Sequence, residues 1–311
     1  MAPIRSGLIA AAVAAAVATG TSVAPARPVP GAPRCPVFPR DNAFNQRVDG
    51  LPAAAGSAAM VAAIGAGEPL HADFGSGTYE GRPIGIPYDV VGRRTARSQV
   101  SFDYAGESDR IGYPIPRGVH IEGGAGAGGD RHAILVDRDA CRLYELYALE
   151  RRGGSWHAGS GASWSLRSNR VRPAGWTSAD AAGLPILPGL ARYDEVRRGT
   201  IDHALRFTVR RTRRAYVYPA RHFASSLTDP ALPRMGERLR LKASVDISGL
   251  PGQARVIAQA LKTYGMVVAD NGSDWFVSGA PSSGWDNGQL AALRRLSGAD
   301  FEVVDTSNLR R

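Results

Sequence analysis

Short alternating segments between turn residues limit what this chain can fold into. Segments such as Val100-Ser-Phe-Asp-Tyr104 alternate apolar and polar side chains, as strands with one buried face do. Turn signals separate such segments every 8–12 residues or so, about the spacing of strands in sandwiches. Helical patterns are few, namely residues 57–64, residues 253–264 and a short one after Asp286. The pattern predicts a mainly β fold, a single-domain β-sandwich or jelly roll with a few peripheral helices; a mixed α+β fold is the alternative.

Two stretches of this pattern predict particular strands. Residues 132–137 and 141–148 predict a hairpin around Arg138-Asp-Ala140, and residues 156–166 predict a third strand. Residues 173–190 lack a regular pattern but are rich in apolar side chains, so we expect this irregular loop to pack onto the body and cover something.

The first 26 residues have the features of a secretory signal peptide. Arg5 precedes an apolar run over residues 7–18, and Ala24-Pro-Ala26 offers a cleavage site with small residues. A membrane-spanning helix needs about 20 apolar residues, so this run predicts cleavage rather than anchoring. Residues 27–40 are proline-rich and predict a flexible leader ahead of one globular domain over residues 41–311. We therefore expect a secreted protein, extracellular or periplasmic.

The two cysteines of the chain are Cys35 and Cys141. In an oxidising compartment two lone cysteines pair, so we predict a disulfide that ties the N-terminal segment to the interior of the fold.

The formal net charge of +10 suggests an anionic partner. The basic residues are almost all arginine, however, and they lack the interleaved aromatic residues of a single-strand binder. We expect no nucleic-acid partner, and a polysaccharide or cell-envelope ligand is the open alternative. Nothing in the sequence predicts a cofactor, a metal or an oligomer, so a monomer is expected.

The strands carry acidic residues that suggest chemistry, whereas motifs of the common serine, zinc and nucleotide-dependent enzymes are absent from the sequence. Glu145 shares a strand face with Tyr147, while His132 begins the partner strand and Asp137 ends it. Glycoside cleavage uses two carboxyl groups, so Glu145 is a candidate acid or base with Asp137 as one partner. The other candidate partners are Asp180, Glu195 and Asp270. The alternative places Glu145 on the solvent face, paired with an arginine.

Three further groups have both a functional and a structural interpretation. Glu195 can orient His203 as a proton shuttle, or the two can form a structural hydrogen-bond network. Asp270 and Asp274 have the residue types of a cation loop, although a tight turn explains them as well. His157 and the nearby tryptophans are either sugar platforms or core. The predicted ligand-binding set is His132, Tyr147, His157, Asp270 and Asp274.

Four phrases occur in order along the chain: GDRHAILVDRDACRLYELYAL, AGWTSADAAGLPILPGLARYDEV, IDHALRFTV and LKTYGMVVADNGSDWFVSGAP. Together they resemble a family of exported bacterial proteins of unknown function, over residues 44–305. The resemblance implies export and a single domain and adds nothing on mechanism.

Three functions are therefore expected, and the sequence does not decide whether the protein is an enzyme. The first is a carbohydrate-active hydrolase or lyase that uses paired carboxylates. The second is a non-catalytic module that binds polysaccharide or cell envelope. The third is a glutamic-type peptidase in which Glu145 acts with a second Glu or Gln.

Overall fold

Two main β-sheets hold most of the buried apolar side chains. The computed structural model describes residues 27–124 and 126–310, so the predicted signal peptide lies outside the described residues. Within this part of the chain, strands form several sheets and no barrel, and the helices are few. The predicted mainly β, sandwich-like fold is confirmed.

The strands are short, as the spacing of turn signals predicts. In chain order they are β1 (His71–Asp73), β2 (Thr78–Tyr79), β3 (Arg82–Pro83), β4 (Tyr88–Val91), β5 (Val100–Phe102), β6 (Ala133–Asp137), β7 (Arg142–Tyr147), β8 (Glu150–Arg152), β9 (Ser155–Ala158), β10 (Ser160–Ser165), β11 (Leu205–Val209), β12 (Arg238–Leu241), β13 (Met266–Asn271), β14 (Phe276–Ser278) and β15 (Phe301–Val303). The α-helices are α1 (Ser57–Ile64), α2 (Tyr193–Arg197), α3 (Gly252–Thr263) and α4 (Asn287–Ala291). Short 3-10 turns lie at Ala43–Asn45, Ala105–Glu107, Leu187–Gly189, Ala292–Arg295 and Gly298–Asp300.

The six-stranded sheet has the order β1-β14-β11-β13-β12-β15 and is mixed. The pairs β1–β14 and β11–β13 are parallel, and the remaining neighbours are antiparallel. Leu205, Phe207 and Val209 of β11 belong to the same buried cluster as Ile257 and Leu261 of α3. Because side chains alternate along a strand, Arg206 points to the opposite face of the sheet.

The four-stranded sheet has the order β10-β7-β6-β4 and contains the predicted hairpin, with β6 and β7 antiparallel. Its two faces are both buried: Ile134 and Leu143 pack in one apolar cluster, and Leu135 and Tyr144 in another. A three-stranded sheet, β5-β9-β8, packs beside it.

The predicted strand over residues 156–166 is two strands. β9 joins the three-stranded sheet and β10 joins the four-stranded one, with Gly159 between them. A Cβ atom on Gly159 would collide with the ring of Tyr147, so the chain crosses between sheets where a side chain has no room.

Residues 27–40 pack against the body, which corrects the expectation of a flexible leader. Val29, Val37 and Phe38 are buried against the four-stranded sheet, because the apolar side chains between the prolines find its apolar face. Cys35 is bonded to Cys141 with an S–S distance of 2.00 Å, which confirms the predicted disulfide. The bond fits an oxidising, non-cytoplasmic environment.

The helices of the described chain are all too short or too polar to cross a membrane.

Candidate functional site

A buried irregular segment, residues 176–192, connects the two main sheets. On one side the Ala182 N–H donates to the Ala269 carbonyl at 3.0 Å, and the Ala191 N–H donates to the Ser278 carbonyl at 3.1 Å. On the other side the segment reaches Glu145 of β7. A buried loop must find hydrogen-bond partners for its backbone polar groups, and polar side chains supply those that neighbouring backbone does not. This bridging segment overlaps residues 173–190, the loop that the sequence predicts to pack onto the body.

Glu145 satisfies the backbone of the bridging segment. It is 0% exposed, and its oxygens accept N–H groups of Ile186 at 2.8 and 3.0 Å and of Leu187 at 2.9 Å. Burial raises the pKa of Glu145 to about 7, against the effect of these two N–H donors. The carboxylate lies neither on the solvent face nor open to a substrate, so the geometry lends no support to Glu145 as an acid, a base or a peptidase residue.

Asp180 and Arg206 form a second buried contact of the bridging segment. Arg206 Nε donates to Asp180 Oδ2 at 3.1 Å, and Arg206 Nη1 donates to Ser278 Oγ at 2.6 Å. Asp270 Oδ2 lies 3.9 Å from Arg206 Nη2. Burial raises the pKa of Asp180 to about 7, opposed by Arg206 and reinforced by the charge of Asp270. One guanidinium thus holds two carboxyl groups together.

Around Arg206 lies a group of polar side chains whose charges act on one another, which we call the polar recess and define by Asp73, Glu122, His132, Arg206 and Asp270. Asp73 ends β1 and is paired in register with Ser278, which places it beside Arg206 on the same sheet. Glu122 directly precedes Gly123 and Gly124, in the segment before β6, and contacts His132 Nδ1 at 2.6 Å. Asp73 is exposed, and the side chains of Glu122 and Asp270 are 27% and 22% exposed. These three carboxyl groups are therefore at least partly open to solvent, unlike Glu145 and Asp180.

The two most accessible carboxyl groups of the recess have opposite pKa shifts. Surrounding protein raises the pKa of Asp73, and the charges of Glu122 and Asp130 raise it further, against Arg206. Burial also acts to raise the pKa of Glu122, but the charge and hydrogen bonds of His132 outweigh it, so that the net shift is downward. Neighbouring carboxyl groups whose pKa values are shifted apart are typical of a general acid and base pair.

A groove of about 570 Å³ begins at Asp73, and we call it the aromatic groove. Its lining includes Phe74, Phe276 and Tyr79, and Tyr79 is 70% exposed. On another side of the recess, Tyr147 lies close enough to Asp130, Tyr104 and Asp270 for their charges to raise its pKa further than burial alone does. Accessible carboxyl groups flanked by aromatic side chains suit a sugar chain.

No family model, curated protein or solved structure matches this chain. Groups of three or more His, Cys, Asp or Glu side chains able to hold a metal ion are absent from the described residues.

The structure brings together five of the predicted residues: His132, Glu145, Tyr147, Asp180 and Asp270 lie in or against the recess. His132 is bound on both ring nitrogens, with Nε2 at 2.9 Å from the Ala179 carbonyl. Its role is to position Glu122 and the bridging segment.

Asp137 is separated from Glu145 and does not pair with it. Glu145 is opposite Ile134 in the register and Asp137 is opposite Arg142, so the two carboxyl groups are on opposite faces of the sheet. Asp137 accepts the N–H groups of Asp139 and Ala140 in the hairpin turn. It therefore shapes the turn.

Four other predicted residues also lie outside the recess. His203 contacts Glu195 at 3.1 Å as predicted, but both are buried, and Arg192 also binds Glu195. His157 belongs to β9 of the three-stranded sheet, and its ring lies between Ser101 and Asp103. Asp274 accepts the Arg210 N–H at 2.6 Å in the turn before β14. These contacts fit the structural interpretation of each of the four residues, and the four residues do not share one site.

Asp73, Glu122 and Arg206 were not predicted from the sequence. Arg206 carried a usable signal, because a single arginine within the apolar strand Leu205–Val209 requires a buried carboxylate partner. Glu122 and Asp73 carried none, since they lie in a loop and at the end of a three-residue strand.

Proposed function

We propose that this protein is an exported carbohydrate-active hydrolase that cleaves a polysaccharide with Asp73 and Glu122 as its two catalytic carboxyl groups. The observation that carries the proposal is that the charge of Glu122 reaches Asp73 and raises its pKa, while the pKa of Glu122 itself is lowered. Asp73 is exposed and Glu122 is partly exposed. The predicted signal peptide and the Cys35–Cys141 bond support export.

Each group has a defined part in the proposed reaction. Protonated Asp73 donates its proton to the glycosidic oxygen as the bond to the leaving sugar breaks. Ionised Glu122, held by His132, either activates water or attacks the anomeric carbon. The aromatic groove receives the sugar chain beside Asp73, where Tyr79 offers a face for stacking.

Substitution of either carboxyl group tests the proposal. Asp73→Asn and Glu122→Gln should each lower the release of reducing ends from a polysaccharide panel by about 10²–10⁴-fold, the usual contribution of a positioned acid or base. Matched controls are Asp229→Asn and Glu68→Gln, which change exposed acids outside the recess. They should keep wild-type activity.

The pH profile gives a second readout of the same proposal. Activity should fall as pH rises through the raised pKa of Asp73, because the acid loses its proton. It should also fall as pH drops below the lowered pKa of Glu122. Asp73→Asn should remove the alkaline limb. Absence of release by the wild type at every pH, or equal loss in the control variants, would rule the proposal out.

A further inference from the structure

A second cavity, of about 810 Å³, shares no lining residue with the polar recess and is lined in part by Trp176 of the bridging segment. We call it the arginine groove. Its walls are the segment 105–111, the edge strand β10 and residues 168–176, and they include Arg110, Arg142, Arg170 and Arg172. Trp164 and Trp176 complete the lining, together with serine hydroxyls.

The lining of the arginine groove has a net positive charge. Asp109 is the single acidic residue of the lining, and it is bound to Arg172 Nη1 at 3.0 Å. Arg110, Arg142 and Arg170 have no ion-pair partner among the described residues. Three arginines without an ion pair therefore line one cavity, although Asp137 is opposite Arg142 in the register of β6 and β7. This excess of positive charge favours an anionic ligand.

Arg172 organises the groove rather than binding a ligand. Its side chain is 3% exposed, and it also donates to the carbonyls of Thr177 and Glu107, each at 2.6 Å. Its guanidinium lies 5.8 Å from the ring centre of Trp164 and 5.4 Å from that of Trp176. One face of each indole is therefore occupied, so the groove offers charge and hydroxyl groups more than stacking platforms for nucleobases.

We propose that the arginine groove binds a carboxylated polysaccharide, through uronic acid carboxylates on Arg142 and Arg170. Guanidinium groups bind carboxylates through paired hydrogen bonds, and Ser163, Ser165 and Ser168 can meet sugar hydroxyls. The volume falls in the range of about 300–1,000 Å³ that suits a small ligand or a short chain segment. A folded partner or a nucleic-acid duplex needs a larger surface.

This inference rests on the proposed function, because it assigns acidic polysaccharide as the ligand class of the same protein. The residues that would bind the ligand are, however, different from the two catalytic carboxyl groups. One segment contributes Trp176 to the arginine groove and Asp180 to the contacts of the recess. Binding alone tests the groove, and catalysis is not needed for it.

The test measures binding of the mature protein to polygalacturonate by titration calorimetry, with a neutral glucan of similar length as comparison. Arg142→Gln/Arg170→Gln should weaken polygalacturonate binding by at least about ten-fold, since each guanidinium–carboxylate pair is charge-assisted. Arg170→Gln alone should weaken it measurably while leaving the fold intact, because Arg170 is exposed. The matched control Arg197→Gln/Arg211→Gln removes the same charge from exposed positions outside the groove and should bind as the wild type does.

Three results would overturn the inference. The first is an equal loss of polygalacturonate affinity in the control variant, which would mean that the net charge of the protein alone attracts the polysaccharide. The second is absence of wild-type binding to polygalacturonate. The third is equal or tighter binding of a single-stranded oligodeoxythymidylate. Asp73→Asn should retain binding, so failure of the hydrolase proposal and failure of this one are distinguishable.

Discussion

The charge of His132 is determined by the two groups that its ring contacts in the recess. Its two ring nitrogens face the Glu122 carboxylate and the Ala179 carbonyl, both of which accept hydrogen bonds. An imidazole can donate from both nitrogens only when it is protonated. Although burial acts to lower it, the charge and hydrogen bond of Glu122 raise the pKa of His132 to about 9.

This shift predicts a loss of stability at alkaline pH. Because the folded-state pKa of about 9 lies above the ordinary 6.5, the contribution is complete below about pH 6.5 and is lost as pH rises through about 9. The free energy of unfolding should decline over this window by up to about 3 kcal/mol. His132→Gln should be less stable at low pH and should lack the decline. Urea unfolding at several pH values measures both.

The matched control for this experiment is His120→Gln. His120 contacts Asp89 at 2.6 Å, but its side chain is 72% exposed. Because solvent screens such a pair, its contribution to the free energy of unfolding should stay under about 1 kcal/mol. A wild-type curve that is flat or rises between neutral and alkaline pH would show that His132 is not a stabilising cation.

At the scale of elements, Gly265 is the junction between α3 and β13. It adopts φ of 68°, in the left-handed region, and its N–H donates to the Ala260 carbonyl at 3.1 Å. A Cβ atom there would overlap the Leu239 carbonyl oxygen of β12. The end of the helix and the packing of the sheet therefore both need glycine at this position.

Gly265→Ala should lower stability well beyond the cost of backbone conformation alone. Gly199 is the matched control: it follows α2 with φ of 87°, and a Cβ atom there would meet nothing within 4 Å. Gly199→Ala should cost about 1–2 kcal/mol from the left-handed conformation. Gly265→Ala should cost about 1–3 kcal/mol more because of the overlap. Equal costs in urea unfolding would mean that the backbone at Leu239 moves away freely.

Elements with a local signal were predictable from the sequence, and elements placed by long-range contacts were not. The spacing of Ala254, Ile257 and Leu261 predicts α3, and the paired alternating segments predict the β6–β7 hairpin. By contrast, β9 and β10 read as one strand because nothing in the sequence shows that two sheets meet at Gly159. Burial of Val37 and Phe38 likewise depends on the sheet face opposite them.

At the scale of the whole molecule, the recess depends on how distant segments meet. His132, Asp180 and Asp270 were predictable because polar side chains beside buried strands need partners. Asp73 joins them through the parallel pairing of β1 with β14, whose residues are about two hundred positions further along the chain. Sequence patterns report local periodicity, so such a pairing is not visible in them.

The Cys35–Cys141 bond is the covalent link between the N-terminal segment and the four-stranded sheet. It spans 106 residues, and a bond that closes so long a loop stabilises by up to about 4–5 kcal/mol in the chain-entropy model. Cys35→Ser/Cys141→Ser should therefore lose about 2–5 kcal/mol of unfolding free energy and expose residues 27–40 to proteolysis. The wild type under reducing conditions is the matched comparison and should lose a similar amount. If the variant keeps both its stability and its protease resistance, packing of Val37 and Phe38 alone holds the segment, and the bond is dispensable for the fold.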